Sequence, residues 1–107
     1  MEYKIGQILV SKEEQVLEKA LSGEKEIIPK GSKVIIGADK MAHHIRTGMM
    51  QPLGEAKLHG YDTKGIAEYL CICLKKHFEI DEMLEGYNDT EEHFIEEIEC
   101  ALEEIGF

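Results

Sequence analysis

The sequence predicts an α+β fold, a small antiparallel β-barrel of the SH3-like type followed by an acidic helical hairpin. Three observations point there. The first half offers several short β-rich runs at close spacing, separated by turns that contain glycine. The second half repeats its apolar residues at the 3.6-residue helical period. Charge divides along the same line: residues 1–60 hold nine basic and eight acidic side chains, and residues 61–107 hold three and fourteen.

Residues 3–10 read as a strand, with Ile5, Ile8 and Val10 apolar and Gly6-Gln7 marking a bend. Ser11-Lys12-Glu13-Glu14 matches a capping box, and Val16, Leu17, Ala20 and Leu21 follow at helical spacing, so a short inserted helix is expected near 12–21. Residues 26–28 and 33–37 read as two strands about the turn Pro29-Lys30-Gly31-Ser32, where proline suits the second turn position and glycine the positive φ of a type II turn. Residues 42–45 and 49–53 are two further strands joined by Arg46-Thr47-Gly48. Strand character ends at residues 52–60.

Asp62 or Thr63 caps the next helix, whose apolar positions Ile66, Leu70, Cys73, Leu74 and Phe78 keep the helical period and whose end falls near His77. The last helix starts at Asn88-Asp89-Thr90, with Asp89 and Glu92 in capping-box relation, and stops at Gly106. Phe94, Ile95, Ile98, Ala101, Leu102 and Ile105 form its stripe, which needs cover, and the preceding helix is the expected partner, with Met83, Leu84 and Tyr87 closing the hairpin. The whole reads as a single domain, 1–107, with residues 1–54 the barrel part and 61–107 the hairpin packed on it.

Composition bounds function before any motif does. At 107 residues with 43% hydrophobic and 32% charged residues, the chain is apolar enough to fold and too apolar for a disordered acidic tail. No segment approaches the ~20 apolar residues that span a bilayer, and the first residues do not resemble a signal peptide. Three cysteines, two of them one residue apart within a helix, do not make a disulfide framework, so a reducing cytoplasm is the expected location. A half-chain with fourteen carboxylates repels nucleic acid and anionic membrane and draws basic surfaces.

The motifs that could carry chemistry read more simply as structure. Cys71 and Cys73, two apart on a helix, point about 200° away from each other and cannot share a tetrahedral ion; both fit a core or boundary role, as does Cys100 at the flank of the last stripe. His43 and His44 fall on opposite faces of a strand, so only one could join His59 or His77. No nucleophile lies beside an oriented base in any recognisable pattern, and neither a glycine-rich phosphate loop nor metal-ligand spacing occurs. Catalytic residues, cofactor and metal are therefore all expected to be none.

Two surfaces stand out. Glu92, Glu96, Glu99 and Glu103 lie at offsets 0, 4, 7 and 11 and form a carboxylate ridge in a stretch, residues 81–107, that holds eleven Asp or Glu and neither Lys nor Arg. An ordinary surface helix mixes signs, because like charges four apart each cost a few tenths of a kcal/mol. Lys30, Lys33, Lys40 and Arg46 form the alternative, a basic track on the turn-bearing edges of the barrel.

Residues 6–10, 28–34, 50–53 and 60–67 resemble segments of small uncharacterised proteins of Gram-positive bacteria, their phages and mobile elements. That group has no established activity, so the resemblance implies a mobile-element context and lends no site residues. The helix near 12–21 departs from it as an insertion between barrel strands. The expected function is a non-enzymatic interaction protein of phage or mobile-element type, whose acidic helical face binds a basic partner protein. The alternatives are a nucleic-acid-binding SH3-like barrel with an acidic regulatory appendage and a small enzyme of unassigned class. Oligomeric state is open.

Overall fold

The computed structural model describes residues 1–18 and 22–107. Its fold is α+β, eight strands followed by three helices, and the chain forms two compact units, residues 1–59 and 60–107.

In the first unit the run 3–10 is broken as its glycine suggests. Gly6, at φ +89°, separates β1 (Glu2–Ile5) from β2 (Ile8–Val10), a conformation that a side chain would strain. The two halves then serve different sheets. β2 lies antiparallel to β5 (Lys33–Ile36), with Ile8 opposite Ile35 and Val10 opposite Lys33. Gly6 N–H to Ile36 O (2.7 Å) and Ser11 N–H to Ser32 O (2.8 Å) extend the ladder at both ends. β6 (Met41–His44) and β7 (Met50–Pro52) continue this sheet in the order β2-β5-β6-β7. Pro52 lies on the edge strand, where a missing N–H does least harm.

β3 (Gln15–Glu18) pairs with β4 (Lys25–Ile28) in a two-stranded ribbon, and β1 pairs with β8 (Lys57–Tyr61), a strand where the sequence predicts a boundary. The strands, three to five residues long, are thus shared among three sheets, and among the described residues they do not close into one barrel.

The helix expected near 12–21 is replaced over residues 15–18 by β3. Ser11 spends its hydroxyl on the Glu13 carbonyl (2.6 Å) instead of capping a first turn, and Val16 and Leu17 lie opposite Ile27 and Glu26 in the ribbon. Pairing with β4 overrides local helix propensity. Ala20 and Leu21, the rest of that expected stripe, lie outside the described residues. The turn at 29–32 has Gly31 at φ +89° in the third position, as a type II turn requires, but Pro29 takes the first position, its carbonyl accepting from Ser32 N–H (3.2 Å). The turn joins two sheets, so β4 and β5 are not a hairpin. The core holds Ile28, Ile35, Ile36, Ala42, His44 and Ala56.

In the second unit, α1 (Thr63–His77) starts where expected: Asp62 Oδ1 accepts from Gly65 N–H at 3.0 Å, and Lys75, Lys76 and His77 oppose the dipole in the last turn. α2 (Ile80–Gly86) is a short connecting helix that buries Ile80 and Leu84. It ends in a Schellman motif: Asn88, at φ +53°, and Asp89 donate to the carbonyls of Glu85 and Leu84. Asn88 therefore closes α2 instead of opening α3. α3 (Glu91–Glu104) is capped by Thr90, whose hydroxyl accepts from His93 N–H at 3.1 Å. It closes with a second Schellman pair, Gly106 N–H to Glu103 O and Phe107 N–H to Leu102 O.

α1 and α3 pack together as an antiparallel hairpin. Two side-chain ties fix it: Thr63 Oγ1 to Glu103 Oε1 at 3.2 Å and Lys75 Nζ to Glu91 Oε2 at 2.9 Å. The ties stand twelve residues apart on each helix, so the two run past one another residue for residue. Ala67 and Cys71, both fully buried, are small enough to let α3 approach closely. The expected stripe of α1 is turned by this choice, leaving Leu70 39% and Phe78 63% exposed.

Candidate functional site

The carboxylates of α3 follow from its helical phase. At about 100° per residue, the apolar stripe runs Ala101, Phe94, Ile105, Ile98, Leu102, Ile95, and then passes into Glu99, Glu92, Glu103 and Glu96. The ridge is thus the continuation of the stripe on one side. Glu92 and Glu96 are exposed; Glu99 is half-buried, and Glu103, although exposed, accepts the Thr63 hydroxyl. Two of the four are therefore partly engaged with the hairpin itself, and two face solvent without such a tie among the contacts of the ridge.

Cations near this surface are few. Lys75 lies 2.9 Å from Glu91 and 3.7 Å from Asp81, and its hydrogen bond to Glu91 holds the ammonium above the ordinary lysine range. No local pattern signals this clamp, since its three members, Lys75, Asp81 and Glu91, lie on three different helices. His93, the single histidine of residues 81–107, contacts Asp89 (2.7 Å) and Glu97 (3.3 Å). The Asp89 hydrogen bond raises the His93 pKa, while the Thr90 backbone N–H, followed by His93, lowers that of Asp89. The expected capping box of Asp89 with Glu92 is thus replaced: Thr90 is the cap, and Asp89, one residue before it, accepts from Thr90 N–H and meets the His93 ring.

The basic residues divide. Lys33 opens β5, its carbonyl accepting from Ile45 N–H at 3.1 Å, which brings Arg46 to the same end of the sheet as Lys33 and the Lys30 turn. Lys40, at φ +60° in the turn between β5 and β6, stands at the opposite end. All four are exposed.

The two adjacent histidines do face opposite ways. His43 Nε2 lies 2.9 Å from Asp39 Oδ2, and this contact leads the lowering of the Asp39 pKa. Gly37 makes room for the pair: a Cβ there would stand 2.5 Å from Asp39 Oδ1 and 2.8 Å from His43 Nε2. His44, 4% exposed, has Nε2 2.7 Å from Gln51 Oε1, which fixes the proton on that nitrogen, and leaves Nδ1 buried without a partner. Among the described residues no group of three or more His, Cys, Asp or Glu is placed to hold a metal ion. Cys71 is buried, with its thiol pKa raised chiefly by desolvation; Cys73 is intermediate and Cys100 exposed, and all three are free.

No described helix is long and apolar enough to cross a membrane. The chain matches no protein family, no curated protein and no solved structure.

Proposed function

We propose that this is a non-enzymatic interaction protein that binds a basic partner protein through the acidic face of its helical hairpin. The observation that carries the reading is the sign bias of residues 81–107, eleven carboxylates with neither Lys nor Arg, seven of them on α3, whose Glu92 and Glu96 face solvent. A field of one sign steers an oppositely charged partner before contact and makes association salt-dependent. The resemblance to small proteins of Gram-positive bacteria and their phages supports a mobile-element setting and a cytoplasmic location, and the free thiols fit the latter. An SH3-like relation among the strands of residues 1–59 belongs to the same proposal, supported by the meander β5-β6-β7 with β2 returning beside β5.

The test is affinity capture from a bacterial lysate at low salt, wild type against the variant with Glu92, Glu96, Glu99 and Glu103 all changed to Gln. Glutamine keeps helix propensity, and at 103 it keeps an oxygen for Thr63, so the hairpin survives while four charges go. Loss of a basic protein from the captured set supports the reading; identical profiles overturn it.

A second reading, a nucleic-acid surface, is favoured by the gathering of Lys30, Lys33 and Arg46 at one end of the β2-β5-β6-β7 sheet. Retention on nucleic acid that disappears when these three become Gln, and persists in the glutamate variant, would select it.

A further inference from the structure

The stripe of α3 is wider than the helix that covers it. α1 takes the flank toward Ile95 and Glu99, and the opposite flank stays open at its C-terminal end, where Ala101 is exposed and Ile105 is 73% exposed, while Phe94 is partly covered at the other. α1 contributes to the same side. The ties at Thr63 and Lys75 put Ala67, Cys71 and Leu74 on its α3-facing side by helical phase, and at about 100° per residue Leu70, 39% exposed, lies on the flank away from Lys75. Because the helices are antiparallel, those two open flanks fall on one side of the pair. The register places Leu70 level with Glu96, Ile66 with Cys100 and Tyr61 with Ile105. The last level is closed by an edge-to-face contact of Tyr61 and Phe107, centroids 5.0 Å apart, both rings about half exposed. An apolar groove therefore runs between α1 and α3 for some three turns, about 16 Å.

Resting on the reading above that the acidic hairpin binds a basic partner, but on the flank of α3 opposite the Glu92–Glu96 ridge, we propose that this groove seats a basic amphipathic helix of that partner. Such a helix lays apolar side chains at i, i+3, i+4 and i+7 into the floor formed by Leu70, Phe94, Ala101 and Ile105. Its Lys and Arg meet the rim, where Glu97 and Glu104 flank the stripe on the side of Ala101. Charge decides among the possible occupants. A second copy would bring its own Glu97 and Glu104, and a unit with fourteen carboxylates against three lysines, onto like charges. An acidic or neutral helix would leave the rim unanswered. A basic one satisfies groove and rim together.

The experiment uses the full chain and three synthetic 18-residue peptides: a Leu/Lys peptide with leucines at helical spacing, a scramble of identical composition, and a Leu/Glu counterpart. Binding is read by fluorescence anisotropy at low salt, and peptide helicity by circular dichroism, after sedimentation has fixed the oligomeric state. The expected result is a monomer that binds the ordered basic peptide at least tenfold more tightly than its scramble, induces helix in it, and ignores the acidic peptide. Leu70→Ser with Ile105→Ser, at exposed positions, then abolishes the tenfold preference without lowering the melting temperature by more than a few degrees. Equal binding of ordered and scrambled basic peptides overturns the groove and leaves the acidic-face reading standing. Failure of both basic peptides to bind overturns both. A dimer dispersed by the two serine substitutions shows that a second copy is the occupant and overturns the proposal.

Discussion

Ile98→Asp tests the packing of the helical hairpin most directly. Ile98 is half-buried in the middle of the α3 stripe, and the register sets it level with Glu68, one turn from Ala67 and Cys71. Burying an isoleucine fully is worth about 1.5–3 kcal/mol, and Ile98, mostly covered, forfeits the larger part of it, about 1–2 kcal/mol. The new carboxylate adds about 1–3 kcal/mol for a charge held in the seam without a partner, since Lys75 is two turns away and already bound to Glu91. The expected loss is about 2–5 kcal/mol, a large share of the ~5–15 kcal/mol that holds a small domain. Ile105→Asp is the control at the end of the same helix: at 73% exposure it forfeits little packing, and the unfavourable helix dipole adds less than about 1 kcal/mol. Urea unfolding at neutral pH, followed by far-ultraviolet circular dichroism, measures both. The gap should narrow near pH 4, where the buried carboxyl takes up its proton. Equal costs at 98 and 105, or none at 98, would refute the assignment of Ile98 to the seam and of Ile105 to the open flank.

Thiol alkylation should proceed at Cys100 first, while Cys71 reacts only at the rate of local unfolding, a difference that mass spectrometry of partly labelled protein reads. The start of α3 should be held best between pH 3.8 and 6.5, the ordinary values of Asp89 and His93. Asp89, with its folded pKa lowered, contributes in full above 3.8 and loses that contribution as pH falls through its folded value; His93, raised, contributes in full below 6.5 and loses it as pH rises through its own. Nuclear magnetic resonance titration of the His93 amide and ring checks this, and Asp89→Asn should move His93 back toward its ordinary value. Gly37→Ala should displace the Asp39–His43 pair, both members being side-chain ends that can give way, so the Asp39 carboxyl returns toward its usual range at a stability cost of about 1 kcal/mol. The melting temperature should rise between about 50 and about 500 mM salt as screening relieves the crowded carboxylates.

What was legible in the sequence was local. The Asp62 cap, the stop at Gly106, the pairing of the last two long helices and the hairpin of β6 and β7 all rest on residues within a few positions of one another or on a single period. What failed was non-local. The capping box at Ser11 is locally as good a helix start as the Thr90 hydroxyl that does cap α3, and it yields to a strand only because Val16 and Gln15 find Ile27 and Ile28 across the ribbon. Strand β8 was hidden for a related reason: Lys57-Leu58-His59-Gly60-Tyr61 has little strand character of its own and becomes one beside β1. Short strands are specified by their neighbours more than by themselves.

The acidic surface shows the same division. Composition located it, since a run of eleven carboxylates without a Lys or Arg is visible in any reading of residues 81–107. Its orientation needed the phase between two helices, which no one-helix periodicity supplies. The α1 stripe read from sequence, Ile66 to Phe78, centres on Leu70, whereas the residues that meet α3 are Ala67 and Cys71, small side chains that a search for large apolar ones passes over. That choice of small over large turns α1, leaves Leu70 in the open, draws Glu99 and Glu103 toward the seam, and moves the exposed apolar surface to the flank beside Glu97 and Glu104. A glutamate-to-glutamine scan along α3 separates the two sides: substitutions at 92 and 96 test the solvent-facing ridge, and those at 97 and 104 test the rim of the groove. A basic helical peptide that responds only to 97 and 104 binds in the groove; one that responds equally to all four senses the field alone.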